Sequence, residues 1–218
     1  MLPLKFLTCN LILSSAAAFV VPKTATHRMY AAARVMSLAM TQPPSSDQSE
    51  EQQYLKHTLT YSVTGTGRGS LVNMQNASGQ TMATDIPKKF GGTELAPTPV
   101  ETLLAALIGC EQATAVYVGR SMNPRLLIER IDFDLQMDRD ARGALELPIE
   151  KTPDISACPK NCYGKATVYL SGKEKTIPPE QLRLLKEQTE ARCPVANMIR
   201  ASGCPVDISW IDGNNVEI

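Results

Sequence analysis

Histidine is scarce here: a chain of 218 residues holds only two, His27 and His57. A His-based zinc site or a Ser-His triad is poorly supplied by that pair, and no metal and no cofactor is expected. Charge of one sign is lacking too, since 22 Lys+Arg balance 22 Asp+Glu for a formal net charge of +0. A nucleic-acid binder needs concentrated basic surface to displace counterions, so no nucleic-acid partner is expected. Nothing polybasic marks a membrane-surface anchor, and no membrane partner is expected either. The six cysteines are Cys9, Cys110, Cys158, Cys162, Cys193 and Cys204. For a chain this long they are too few for a disulfide-stapled scaffold, and site chemistry is the better use for some of them.

Acid is missing from the whole N-terminal segment: the first is Asp47, while Lys5, Lys23, Arg28 and Arg34 precede it. Lys5 leads into an apolar run over residues 6–21, broken by Thr8, Asn10, Ser14 and Ser15. The run is short and polar for a bilayer span, but it suits the h-region of a signal peptide. The basic, acid-free stretch behind it has the composition of an organelle transit peptide. Residues 1–40 are therefore expected to be a targeting presequence, signal plus transit peptide, and Cys9 should leave with it. Residues 15–22, Ser-Ala-Ala-Ala-Phe-Val-Val-Pro, resemble the cleavage site of bipartite presequences in algae with secondary plastids, where a Phe, here Phe19, follows the cut. That resemblance implies a plastid (chloroplast) location; mitochondrion and secretory pathway are the alternatives.

Residues 41–53 contain no apolar side chain that could be buried and read as a disordered linker, so the domain is expected over residues 54–218. Residues 54–64 alternate apolar and polar as a strand does. Gly65, Gly67 and Gly69 surround a turn carrying Arg68. Short strands follow over 71–74 and 81–84. Pro97 and Pro99 precede a long apolar segment, 100–118, and Pro suits a first helical turn. A helix apolar almost all round belongs in the centre of a fold or at an interface. Residues 130–137 and 165–170 read as strands, with an irregular Pro-rich stretch over 142–162. Pro178 and Pro179 open a helix that should end or kink at Cys193-Pro194, because Pro disfavours the helical region at the residue before it. A last strand is expected over 206–210. The fold class is α+β, with the helices packed on one face of an antiparallel sheet.

Two cysteines stand out by context. Cys110 lies in the apolar helix, where a thiol is ordinarily a small buried hydrophobe. Cys193 sits at a helix N-cap before Pro194, facing the positive end of the next helical segment, which lowers a thiol pKa; Arg192 beside it is a further candidate stabiliser. Cys158 and Cys162 are spaced C-x3-C with no second pair, a weak metal signal, and a local disulfide, an accessory redox pair or two unpaired loop thiols all fit. Cys204, before Pro205, is a competing second thiol.

Residues 97–110, Pro-Thr-Pro-Val-Glu-Thr-Leu-Leu-Ala-Ala-Leu-Ile-Gly-Cys, together with Arg192-Cys193-Pro194-Val195, resemble the two signatures of the OsmC/Ohr-like family. Gly67-Arg68-Gly69 resembles the early Arg turn of its Ohr branch. The resemblance spans residues 55–212. It implies an OsmC-like fold, an antiparallel sheet with two main helices in an intertwined homodimer. It implies a two-cysteine peroxidase: Cys110 attacks a small hydroperoxide, preferentially an organic one. Cys193 then closes a disulfide, a dithiol of dihydrolipoyl or thioredoxin type restores the thiols, and Arg68 steadies the Cys110 thiolate. Oxidative-stress defence would be its role.

The family pattern places a Glu ten residues before the first Cys, paired to that Arg; here the position is Val100. Glu101 stands nine residues before, about 180° round the helix from Cys110, where ten positions give about 80°. An alternative function is therefore an OsmC-like thiol-redox or small-ligand-binding protein without efficient peroxidase activity, and a third is a structural dimer with inert cysteines.

Overall fold

The structure is a computed structural model that describes Gln53, residues 55–172 and residues 176–214. The presequence with Cys9 and Phe19, and the linker apart from Gln53, lie outside the described residues. The chain divides at Thr58, and the fold is that of the unit Leu59–Ile218.

Its elements run β1 (Val63–Arg68), β2 (Leu71–Asn76), β3 (Thr81–Thr84), a 3-10 turn (Lys88–Phe90), α1 (Pro99–Ser121), β4 (Ile128–Arg139), a short α2 (Arg142–Leu145), β5 (Pro159–Leu170), α3 (Pro179–Arg192), α4 (Pro194–Ala201) and β6 (Val206–Asp212). The α+β class holds, but the strands form two separate three-stranded sheets, β1-β2-β3 and β4-β5-β6. One pairing is not antiparallel: β6 lies parallel to β5, from Cys162 against Val206 to Val168 against Asp212. The α3–α4 connection explains it, because a helical crossover carries the chain back to the end of the sheet at which β5 began. The first strand begins at Val63 rather than near residue 54, since the antiparallel register ends with Val63 opposite Asn76. Likewise β5 starts at Pro159, inside the stretch expected to be irregular.

Local chemistry sets the turns. Gly69 (φ 61°) is the first central residue of the two-residue β1–β2 turn, and Ser70 is not left-handed, the pattern of a II′ hairpin. Asp85 is fully buried and organises the loop towards α1. Its carboxylate accepts from Ser70 Oγ at 2.6 Å, Ile86 N–H at 2.8 Å, Thr93 Oγ1 at 2.5 Å, Thr93 N–H at 3.0 Å and Leu95 N–H at 3.2 Å. The Ser70 and Thr93 hydroxyls, foremost, hold its pKa far below the carboxylate range. Gly92 has no alternative, because a Cβ there would come within 1.8 Å of the Ile86 carbonyl oxygen.

Helix α1 starts with a capping box: Thr98 Oγ1 accepts from Glu101 N–H at 3.3 Å, and Glu101 Oε2 accepts from Thr98 N–H at 2.7 Å. Buried Leu107, Glu111, Ala115 and Val118 recur along one face of it. That face, with α3, covers the β4-β5-β6 sheet, where Ile131, Val168, Leu185 and Ile208 form the centre of the core. On the other side of α1, Ala105, Ala106, Gly109, Ala113 and Tyr117 are exposed. Strands β1–β3 pack extensively only on one another, and every residue of β1 is exposed.

Candidate active site

Cys193 is the joint between α3 and α4. It ends α3, with its N–H donating to Thr189 O at 2.9 Å, and caps α4, with its Sγ accepting from Ala196 N–H at 3.4 Å. Its extended backbone (φ −75°, ψ 109°) is the conformation that Pro194 imposes on its predecessor. The joint lies against the middle of α1, where Leu107, Cys110 and Cys193 share an apolar cluster with Cys162 and Cys204. Cys110 is half-buried and Cys193 is buried; both are free thiols. Cys110 packs against the cluster that holds Cys193, and it is among the causes shifting the Cys193 thiol.

That thiol is pushed up from 9.0 to about 12, by burial first, then by the Cys110 hydrogen bond, with the Ala196 N–H opposing and Glu111 adding to the rise. The expectation of a lowered Cys193 pKa is therefore corrected: desolvation outweighs the helix N-terminus. Arg192 does not help, since it is exposed and bonds the backbone oxygen and side-chain oxygen of Gln188 one turn back.

Glu111, the residue after Cys110, is the group that sequence reasoning missed. It is completely buried, and neither carboxylate oxygen has a well-formed hydrogen-bond partner. Burial raises its pKa, contact with the Cys193 thiol lowers it, Glu190 raises it and Arg200 lowers it, in that order of size. Glu190 of α3 pairs with Arg200 of α4 at 3.1 Å and with Lys186 at 3.7 Å, and burial raises its pKa as well. The available signal was a single carboxylate in a run of apolar helix, a residue type almost never fully buried unless paired.

The other sequence candidates fall in different places. Arg68 ends β1, exposed, and its guanidinium makes no hydrogen bond or ion pair among the described residues. Glu101 is engaged in the α1 capping box and Val100 stands beside it in the first turn. Cys158 is exposed just before β5, while Cys162 lies within that strand, buried. Four residues of extended chain span about 13 Å, well beyond disulfide reach, which rules against a local Cys158–Cys162 disulfide in this fold. Cys204 is buried; its thiol donates to Pro205 O at 3.6 Å. Among the described residues no group of His, Cys, Asp and Glu could hold a metal ion.

A buried thiol packed in one cluster with a half-exposed one can cycle between dithiol and disulfide. The family model for OsmC-like protein matches residues 91–209, more than half of the chain and both cysteine segments. The chain belongs to the OsmC-like family. Solved structures share its fold. An OsmC-like protein of unknown function from Vibrio cholerae is 14% identical with a TM-score of 0.56, over 71% of this chain and 100% of that one. An OsmC-like protein from Mycoplasma pneumoniae is 15% identical with a TM-score of 0.55, over 70% and 96%. An organic hydroperoxide resistance protein OsmC from Legionella pneumophila is 18% identical with a TM-score of 0.51, over 70% and 97%. The comparison with curated proteins gives no match.

Proposed function

We propose that this OsmC-like protein is a thiol-dependent hydroperoxide reductase. The observation that carries the reading is the meeting of Cys110, half-exposed, and Cys193, buried, from distant parts of the chain in one apolar cluster. The accessible thiol meets the oxidant. Its sulfur attacks the peroxide O–O bond, an alcohol leaves, and Cys110 becomes a sulfenic acid. The sulfur of Cys193, in the same apolar cluster, displaces the hydroxyl as water and closes the disulfide. A dithiol of dihydrolipoyl or thioredoxin type then returns both thiols. The apolar surroundings of the pair, Leu103, Leu104 and Leu107, favour an organic hydroperoxide over hydrogen peroxide, and such a reaction serves oxidative-stress defence. The name of the Legionella relative points the same way.

The protein is further proposed to act as an intertwined homodimer. The exposed small-residue face of α1 and the unaccompanied β1–β3 sheet support it, and a second copy would give Arg68 a route to a Cys110 site. One observation favours the weaker alternative, a thiol-redox protein with slow peroxidase activity: the carboxylate nearest the family position, Glu101, is held by Thr98 and leaves Arg68 untethered. Stopped-flow oxidation of the reduced protein, with an organic hydroperoxide and with hydrogen peroxide, tests the proposal. Rapid stoichiometric consumption that disappears in Cys110→Ser is the expected result; a Cys110→Ser variant that consumes peroxide as fast as wild type would remove it.

A further inference from the structure

Resting on that two-cysteine reading, we infer that Glu111 is the general base that takes the proton from the Cys193 thiol as its sulfur closes on oxidised Cys110. The requirement comes from burial. The thiolate, not the thiol, is the nucleophile, and Cys193 is 0% exposed, so water cannot collect its proton. The Ala196 N–H can steady the developing charge on sulfur at 3.4 Å, but it cannot accept a proton. Glu111 can. It is 0% exposed, both its oxygens lack a well-formed partner, it lies one turn from Leu107, which shares the apolar cluster with Cys193, and the Cys193 thiol is among the groups that shift its pKa.

A carboxyl buried without partners is costly and rare in native structures, so its position on this one thiol asks for a use. Its surroundings tune it. The groups that act on it are Cys193 at the α3–α4 joint, Glu190 of α3 and Arg200 of α4. Lys186 and Asp207 act one step out, on Glu190. Burial makes the carboxylate a stronger base than usual, while Arg200 keeps its anion tolerable.

The step balances. The Cys193–Cys110 S–S bond forms as the Cys110 S–O bond breaks. The Cys193 proton passes to the Glu111 carboxylate and on to the departing hydroxide, giving water and restoring the carboxylate. The sulfenic sulfur is reduced as the thiol sulfur is oxidised, with no outside electron carrier.

The test avoids peroxide. The full-length chain carrying Cys9→Ser and Cys158→Ser is loaded at Cys110 with an aryl disulfide reagent. Attack by Cys193 then releases a second coloured arylthiolate, whose rate is followed across pH. Glu111→Gln, the same in shape, is expected to slow the second release by about 100-fold and to remove its carboxylate-dependent pH step; Glu111→Asp is expected to restore part of both. Second release from Glu111→Gln at the wild-type rate and pH profile, or no second release from wild type, would overturn the role. The two proposals fail separately. A wild-type protein that shows the Glu111 dependence but consumes no hydroperoxide loses the proposed function and keeps this base. A protein that turns over hydroperoxide equally well with Glu111→Gln does the reverse.

Discussion

A helix N-terminus ordinarily makes a thiol more acidic, yet Cys193 titrates in the opposite direction, up to about 12. A pKa held above its unfolded value has a direct consequence for stability. Below pH 9 the thiol is protonated in both folded and unfolded chains, and the contribution from Cys193 is fully present. Between about 9 and 12 the unfolded chain loses the proton first, so stability falls as pH rises. Denaturant titrations across this window are expected to show an alkaline loss that is smaller in Cys193→Ser; equal alkaline slopes would contradict it. Arg68 carries a second residue-scale expectation. A loosely held guanidinium stabilises an anion less than a fixed one, and Val100 offers no carboxylate to fix it. Val100→Glu is therefore expected to speed Cys110 oxidation by organic hydroperoxide by about tenfold, one order of magnitude being about 1.4 kcal/mol of barrier, and Arg68→Ala to slow it. If Arg68→Ala leaves the rate unchanged, Arg68 is only a turn residue between two glycines.

At the scale of elements, the helix boundaries were the legible part. Pro99 marks the start of α1, and Cys193-Pro194 marks the break between α3 and α4, because each signal is local stereochemistry; the Thr98–Glu101 box at the start of α1 is shown by the structure. Thr98→Ala removes one half of the box and should cost about 1 kcal/mol. Urea unfolding measures it, and an unchanged midpoint would show that α1 is held by packing alone. The sheets were less legible. Nothing local separates β1–β3 from β4–β6, and the parallel β5–β6 pairing depends on how the α3–α4 crossover returns the chain. The start of β5 was hidden because Pro159 and Gly164 are poor strand formers; Gly164 is there because a Cβ would come within 2.1 Å of Asp134 O. The candidate site was readable as two cysteine motifs, since both lie in continuous sequence. Glu111 was not, because its significance comes from Cys193, Glu190 and Arg200, which reach it only in the folded chain.

At the scale of the whole molecule, Cys110, Cys162, Cys193 and Cys204 gather in one apolar cluster, while Cys158 lies outside it, exposed. The N-terminal segment is a separate proposal: residues 1–52 fused to a fluorescent protein should enter a plastid, and Phe19→Ala should divert it, whereas mitochondrial import of the unmodified fusion would contradict that location. The central claim is that Cys110 and Cys193 form one working pair, and peptide-mapping mass spectrometry of the reduced protein after one equivalent of organic hydroperoxide tests it most directly. The expected product is a Cys110–Cys193 linked peptide, two hydrogens lighter than the reduced pair, with Cys158, Cys162 and Cys204 still free; an oxidised product in which Cys110 remains a free thiol would contradict the account.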